Sequence, residues 1–86
     1  MNSIKLILDK ICKYKRQGKE FDLDELQNDI EEIYTNIKLK PKAEENVRIL
    51  TNFIFTNSSK NDVVLGLTEI LRVVCEDLNV PMPEMD

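Results

Sequence analysis

The sequence predicts an all-α protein, a small antiparallel four-helix bundle with an extended C-terminal tail. Apolar residues recur at steps of three and four in four separate segments, which is the spacing of a buried helix face. The 86 residues include only two Gly and three Pro, a composition that suits helices joined by short connections. A chain of this length is expected to form one domain. We predict a bundle over residues 1–79, with helices at about 3–17, 23–38, 41–56 and 60–78, followed by a Pro/Met tail over 80–86.

The first predicted helix has one apolar face and a basic remainder. Ser3 is its expected cap, and Gly18 is its expected stop. Lysine and arginine side chains occupy its last turn, where cations oppose the negative end of the helix dipole. The face expected to be buried consists of Ile4, Ile7, Leu8, Ile11 and Cys12.

The second predicted helix has the most regular apolar spacing in the chain. Asp22 and Glu25 have the spacing of an N-cap and its capping-box partner. Phe21 is placed to pack on Leu26 as a hydrophobic staple. Residues 20–37 contain seven acids and no base, so this helix should attract a basic antiparallel neighbour. Its buried ladder is expected to be Leu23, Leu26, Ile30, Ile33 and Ile37.

The third predicted helix begins at a proline. Pro41 suits a first helical turn, and the residue before a proline disfavours helix, so the break falls at 38–40. Phe55 lies off the main stripe and is expected either to close a corner or to be exposed. The stripe itself consists of Ala43, Val47, Leu50 and Ile54.

The fourth predicted helix is apolar over most of its circumference, which is typical of the central helix in a small bundle. Ser59 and Asp62 again have capping-box spacing. The β-branched runs at 63–64 and 73–74 would also suit strands, but they lie on a continuous 3.6-residue pattern that favours helix.

The basic side chains of the first helix form a candidate contact surface. Residues 1–19 carry six Lys and Arg against one Asp, although the whole chain has a net charge of −4. Such a face is typical of contact with an anionic membrane surface or with nucleic acid. The acidic overall charge argues against nucleic acid, and a solvated face balanced by the acidic second helix is the simplest interpretation. The residues assigned to this face are Lys10, Lys13, Lys15 and Arg16.

The sequence contains no recognisable catalytic or metal-binding pattern. It has no His, which is the usual general base and the commonest metal ligand. It also lacks a phosphate-binding glycine loop, and Ser58 and Ser59 have no His to activate them. We expect no enzymatic activity, no cofactor and no metal. The acids of the second helix are interpreted as a solvated helix start, not as a carboxylate pair or a calcium site: Asp22, Asp24, Glu25, Asp29, Glu31 and Glu32.

Cysteine usage and hydropathy indicate a cytoplasmic protein. Cys12 and Cys75 are expected to be reduced and near the core, and a disulfide between them would need an oxidising compartment. No secretory signal and no stretch of about 18 apolar residues is visible.

The tail after the fourth helix is the candidate partner-binding segment. Its two prolines at alternate positions favour an extended form and lower the ordering cost of binding, and its methionines adapt to irregular partner surfaces. A frayed end, or one folded back over the bundle, is the alternative. The residues assigned to partner contact are Pro81, Met82, Pro83 and Met85.

The third and fourth helices resemble those of a known family. The segment Val47–Ile54 (VRILTNFI) is similar to a helix of that family that combines aliphatic and aromatic residues. After a polar joint, the segment Leu67–Leu71 (LTEIL) is similar to the family's last helix, which has an acid beside paired aliphatic residues. This layout resembles the pediocin-like (class IIa) bacteriocin immunity proteins, the enterocin A immunity family. The resemblance implies a small cytosolic antiparallel four-helix bundle that protects a producing cell without catalysis.

The resemblance also implies partners. They are a membrane receptor, the sugar permease of the mannose phosphotransferase type, and/or the bacteriocin itself, met at the inner membrane surface. In this family the C-terminal segment tends to decide which bacteriocin is resisted. Two alternatives stay open: a small phage or mobile-element protein that inhibits or adapts a host protein, and a nucleic-acid-associated regulator that uses the basic first helix. The oligomeric state is also open.

Overall fold

A computed structural model describes residues 3–17, 22–57 and 59–83. These residues form four helices and no strand: α1 (Ser3–Arg16), α2 (Leu23–Asn36), α3 (Pro41–Asn57) and α4 (Lys60–Leu78). Each end lies within two residues of the predicted one. The all-α prediction is confirmed, and the β-branched valines of the last helix are helical.

The fourth helix is the centre of the bundle. It packs against both α1 and α3, whereas α2 packs mainly against α1. This arrangement follows from its wide apolar circumference, since a helix with two neighbours must bury two sides. Its buried residues are Val63, Gly66, Leu67, Ile70, Leu71, Val74 and Cys75.

The apolar stripes predicted from spacing form the core, with exceptions at their edges. Leu26, Ile30 and Ile33 are buried on α2, but Leu23 in the first turn of the ladder is 51% exposed. Cys12 is exposed, contrary to the prediction, because it follows the buried Ile11 and is turned about 100° away from it. Both cysteines are free thiols.

Two predicted helix caps are present. The Asp22 carboxylate accepts a hydrogen bond from the Asp24 amide at 2.8 Å, and the Ser59 hydroxyl accepts one from the Asp62 amide at 3.1 Å. The Ser59 hydroxyl also donates to Asp62 Oδ2 at 2.7 Å. The Glu25 carboxylate pairs with a lysine of α1 instead of completing a capping box.

Three other predictions about helix ends have different outcomes. Ser3 is itself the first residue of α1, so it does not lie ahead of the helix as a cap. The stop at Gly18 and the staple at Phe21 lie outside the described residues. Phe55 is exposed, which was one of its two expected positions.

Helices α3 and α4 are in close contact where α4 has a glycine. A Cβ atom placed on Gly66 would overlap Ile54 Cγ1 and would lie 2.8 Å from Ile54 Cδ1. The buried Ile54 side chain therefore occupies the volume that any other residue at position 66 would need. The glycine costs about 1 kcal/mol in helix propensity, and this close approach offsets that cost.

Candidate functional site

A buried carboxylate joins the first two helices. Asp29 is 7% exposed and is the only buried charged residue among those that the structure describes. Its Oδ1 accepts a hydrogen bond from Lys10 Nζ at 3.0 Å. Its Oδ2 accepts from Lys13 Nζ at 2.9 Å and from the Tyr14 hydroxyl at 2.6 Å. Three donors from one helix thus surround a single carboxylate on the next.

Helical spacing brings these groups together. Lys10, Lys13 and Tyr14 stand at i, i+3 and i+4, so they share one face of α1. Two further acids of α2 extend the pairing, because Glu32 accepts from Lys10 at 3.1 Å and Glu25 pairs with Lys13. We call the six residues the α1–α2 ionic cluster: Lys10, Lys13, Tyr14, Glu25, Asp29 and Glu32.

The partners of Asp29 determine its charge state. Burial alone would raise the pKa of the Asp29 carboxyl, but the hydrogen bonds from Tyr14, Lys13 and Lys10 hold that pKa below its usual value. Burial likewise opposes the charged forms of the two lysines, yet their carboxylate partners raise the pKa of both. Burial and the Asp29 charge raise the pKa of Tyr14. Asp29 is therefore ionised and Tyr14 is a neutral donor at neutral pH.

The ionic cluster corrects one prediction and reduces the support for another. Asp29 is not part of a solvated helix start, since its position between Leu26 and Ile33 puts it on the buried stripe. Lys10 and Lys13 turn toward α2, with side chains 16% and 31% exposed. The four cations assigned to a basic face therefore do not share one open surface. Lys15 and Arg16 are exposed.

The C-terminal cap of α4 sets the direction in which the chain leaves the helix. Asn79 has φ 58° and ψ 46°, the left-handed conformation that commonly terminates a helix. Its amide donates to Glu76 O at 3.1 Å, and the amide of Val80 donates to Cys75 O at 3.0 Å, which together form a Schellman motif. The sequence signal was present, because an Asn two residues before a proline is a typical helix stop, but the prediction did not use it.

The described part of the tail is mostly exposed. Val80 is 40% exposed and Met82 is 36% exposed, and Leu78 just before them is 45% exposed. Pro81 is exposed and Pro83 is half-buried. The candidate residues Pro81, Met82 and Pro83 thus lie together, whereas Met85 lies outside the described residues.

A cleft of about 280 Å³ lies between the end of α2 and the start of α3. Tyr34, Ile37 and Leu39 form its half-buried walls, and Lys38 and Glu44 also line it. The Tyr34 hydroxyl and the Thr51 hydroxyl are 3.1 Å apart, so a hydrogen bond connects this lining residue of α2 to α3. The lining of the cleft thus combines apolar walls with one cation and one acid.

Searches for similar proteins and for membrane or metal sites give no assignment. Comparisons with protein-family models, with curated proteins and with solved structures find no match. Within the described ranges, no helix is long and apolar enough to cross a membrane. The same residues include no group of three or more His, Cys, Asp or Glu side chains placed to hold a metal ion.

Proposed function

We propose that this chain is a non-catalytic immunity protein, which protects a cell from a pediocin-like bacteriocin by binding the bacteriocin-engaged membrane receptor from the cytoplasmic side. The observation that carries the proposal is the set of exposed apolar side chains that runs from the end of α4 into the tail, formed by Leu78, Val80 and Met82. Apolar groups exposed together at one end of a small bundle are typical of a contact surface.

The tail has the physical properties of a binding segment. The left-handed Asn79 and its two backbone hydrogen bonds fix the direction in which the chain leaves α4. Pro81 and Pro83 restrict the backbone beyond it, so less conformational entropy is lost on binding. Met82 supplies a flexible, polarisable side chain that fits irregular pockets.

The choice of partner rests on the family resemblance. The four-helix architecture agrees with the fold that the resemblance implies, and the resemblance supplies the receptor class, the sugar permease, and the bacteriocin. We place the protein at the inner membrane surface in this proposal. Lys15 and Arg16, which are exposed, would contribute to the membrane contact, at about 1 kcal/mol for each cation near an anionic surface.

Expression in a bacteriocin-sensitive strain tests the proposal. Cells that express the full chain should survive at least one peptide in a panel of pediocin-like bacteriocins. Cells that express residues 1–79 should not survive. Circular dichroism should nevertheless show nearly the same helix content for this shorter form, because the last helix ends at Leu78. Unchanged sensitivity to every peptide would refute the immunity proposal and favour the phage or mobile-element alternative. Equal protection by both forms would move the contact to the bundle surface.

A further inference from the structure

We propose that two copies of this chain associate by exchanging tails, with the tail of each copy seated in the cleft at the α2–α3 junction of the other. We define the junction as residues 38–42 and the tail as residues 80–86. The inference concerns self-association. Because the same tail is the proposed receptor contact, self-association and receptor binding would compete for it.

The junction carries three lysines that form no ion pair with a described residue. Lys38, Lys40 and Lys42 occur within five residues, all are exposed, and no described residue forms an ion pair with any of them. They differ in this from the lysines of the ionic cluster. The positive end of the α3 dipole, which begins at Pro41, adds to the same field.

Acids also lie near the junction, but none of those described forms an ion pair with its lysines. Glu44 lines the cleft but pairs with Arg48 at 3.5 Å. Asp77 accepts a hydrogen bond from the backbone amide of Lys40 at 3.3 Å. Glu76 and Asp77 also line a neighbouring groove of about 290 Å³ with Lys40 and Lys42, without an ion pair between them.

The tail is complementary to the junction in charge and in apolar pattern. Residues 80–86 contain Glu84 and Asp86 and no base, and these acids follow Val80 and Met82, with Met85 between them. The junction alternates lysines with Leu39 and Pro41. An extended tail can therefore place an apolar side chain between Tyr34, Ile37 and Leu39 while its carboxylates face the lysines.

Geometry favours a second copy as the occupant. The hydrogen bond between Lys40 and Asp77 places the junction beside the last turn of α4, from which the tail departs. The tail and the junction therefore lie at the same end of one molecule. Two copies related by a two-fold axis at that end would make two tail–junction contacts in a single association. Within one chain Val80 and Met82 stay exposed, and neither lines the cleft.

A charge-exchange experiment tests this inference. The junction variant carries Lys38→Glu and Lys40→Glu, and the tail variant carries Glu84→Lys and Asp86→Lys. Sedimentation equilibrium at low salt should show a wild-type dimer that weakens with added salt. Each variant alone should dimerise at least about tenfold more weakly, because like charges then face each other. An equimolar mixture should recover a heterodimer, since each tail again meets a junction of opposite charge.

Three results would overturn the inference. One is a wild-type chain that stays monomeric at millimolar concentration. Another is a wild-type dimer that both variants form equally well, and the third is a mixture of the variants that remains monomeric although circular dichroism shows both to be folded. As a further check, a synthetic peptide of residues 79–86 should compete with dimerisation, and the same peptide with both acids changed to lysine should not.

Discussion

The Tyr14 hydroxyl donates a 2.6 Å hydrogen bond to Asp29 Oδ2 across the interface of α1 and α2. The Tyr14 ring is 1% exposed, and the carboxylate it meets also accepts from two lysines of the same helix. Because α2 packs mainly against α1, this polar contact adds to the burial of Leu26, Ile30 and Ile33 in holding the second helix in register.

Removing the Tyr14 hydroxyl measures the value of that bond. Tyr14→Phe keeps the buried ring and should lower the free energy of unfolding by about 1.5–3 kcal/mol, the range for a hydrogen bond to a charged group. Tyr34→Phe is the matched control, because it deletes a neutral bond to Thr51 at a half-buried site and should cost about 0.5–1.5 kcal/mol. Urea titration of both variants gives the comparison, and an equal loss in the two would contradict the role of the Asp29 charge.

Asp29→Asn should be more damaging than either tyrosine variant. The amide keeps the shape of the side chain but cannot balance Lys10 and Lys13, and breaking a buried ion pair costs about 3–5 kcal/mol before partial solvation reduces it. Glu25 and Glu32 retain part of the pairing, so we expect a loss of about 2–4 kcal/mol in chemical denaturation. Glu31→Gln, on the exposed face of the same helix, should change stability by less than about 0.5 kcal/mol.

The ionic cluster also predicts how stability depends on pH. The pKa of Asp29 is lowered in the folded state, so the unfolded chain binds more protons in acid and stability rises with pH. The contribution of Asp29 is complete above its unfolded pKa of about 3.9 and is lost as the pH falls through the lower folded value. Lys10 and Lys13 have raised pKa values in the folded state, so they affect stability at alkaline pH. Their contribution to stability is complete below their unfolded pKa of about 10.4 and is lost as the pH rises through the higher folded values.

Urea midpoints measured from neutral to strongly acidic pH check this dependence. The urea midpoint of the wild-type protein should decrease as the pH is lowered below about 4. The midpoint of the Asp29→Asn variant should decrease less over the same pH interval. If the two proteins lose stability in parallel, other carboxylates govern acid unfolding and Asp29 does not.

The close approach of α3 and α4 makes position 66 intolerant of a side chain. Gly66→Ala gains about 1 kcal/mol in helix propensity, but its Cβ would overlap Ile54, and overpacking of this kind costs about 1–3 kcal/mol or more. We expect net destabilisation in thermal unfolding. The double variant Gly66→Ala, Ile54→Ala should be more stable than the sum of the two single changes implies, and simple additivity would contradict the overlap.

The two cysteines should differ in reactivity with a thiol reagent. Cys12 is exposed and should react at once in the native protein. Cys75 is 2% exposed and burial raises its pKa, so it should react only on unfolding. Cys12→Ser and Cys75→Ser variants assign the two phases, and rapid modification of both thiols in native protein would contradict the packing of α4.

Much of the fold could be predicted because one periodic signal determines it. The steps of three and four set the four helices, and Asp22 and Ser59 marked two of their starts. The stripe edges could not be predicted in the same way, because spacing locates a face but not the width that neighbours cover. Leu23 and Cys12 lie at such edges, where the position of the adjacent helix decides exposure.

The ionic cluster could not be predicted from the sequence for a related reason. Opposite charges on the first two helices were visible, but only the packing shows that Asp29 points inward while Asp24 and Glu31 point outward. Its position in the Leu26–Ile33 stripe was a usable signal, but the prediction grouped Asp29 with the solvated acids, and acids are rarely buried. The tail candidates were found from prolines and methionines alone, and their functional role stays a prediction.

The central claim, that the exposed apolar tail makes the protective contact, is tested most directly by the minimum inhibitory concentration of a pediocin-like peptide against sensitive cells that express point variants. The double variant Val80→Ser, Met82→Ser should lose protection, and the control Ile49→Ser, which alters a 58% exposed side chain on α3, should keep it. Full protection by the tail variant at equal expression would contradict the account.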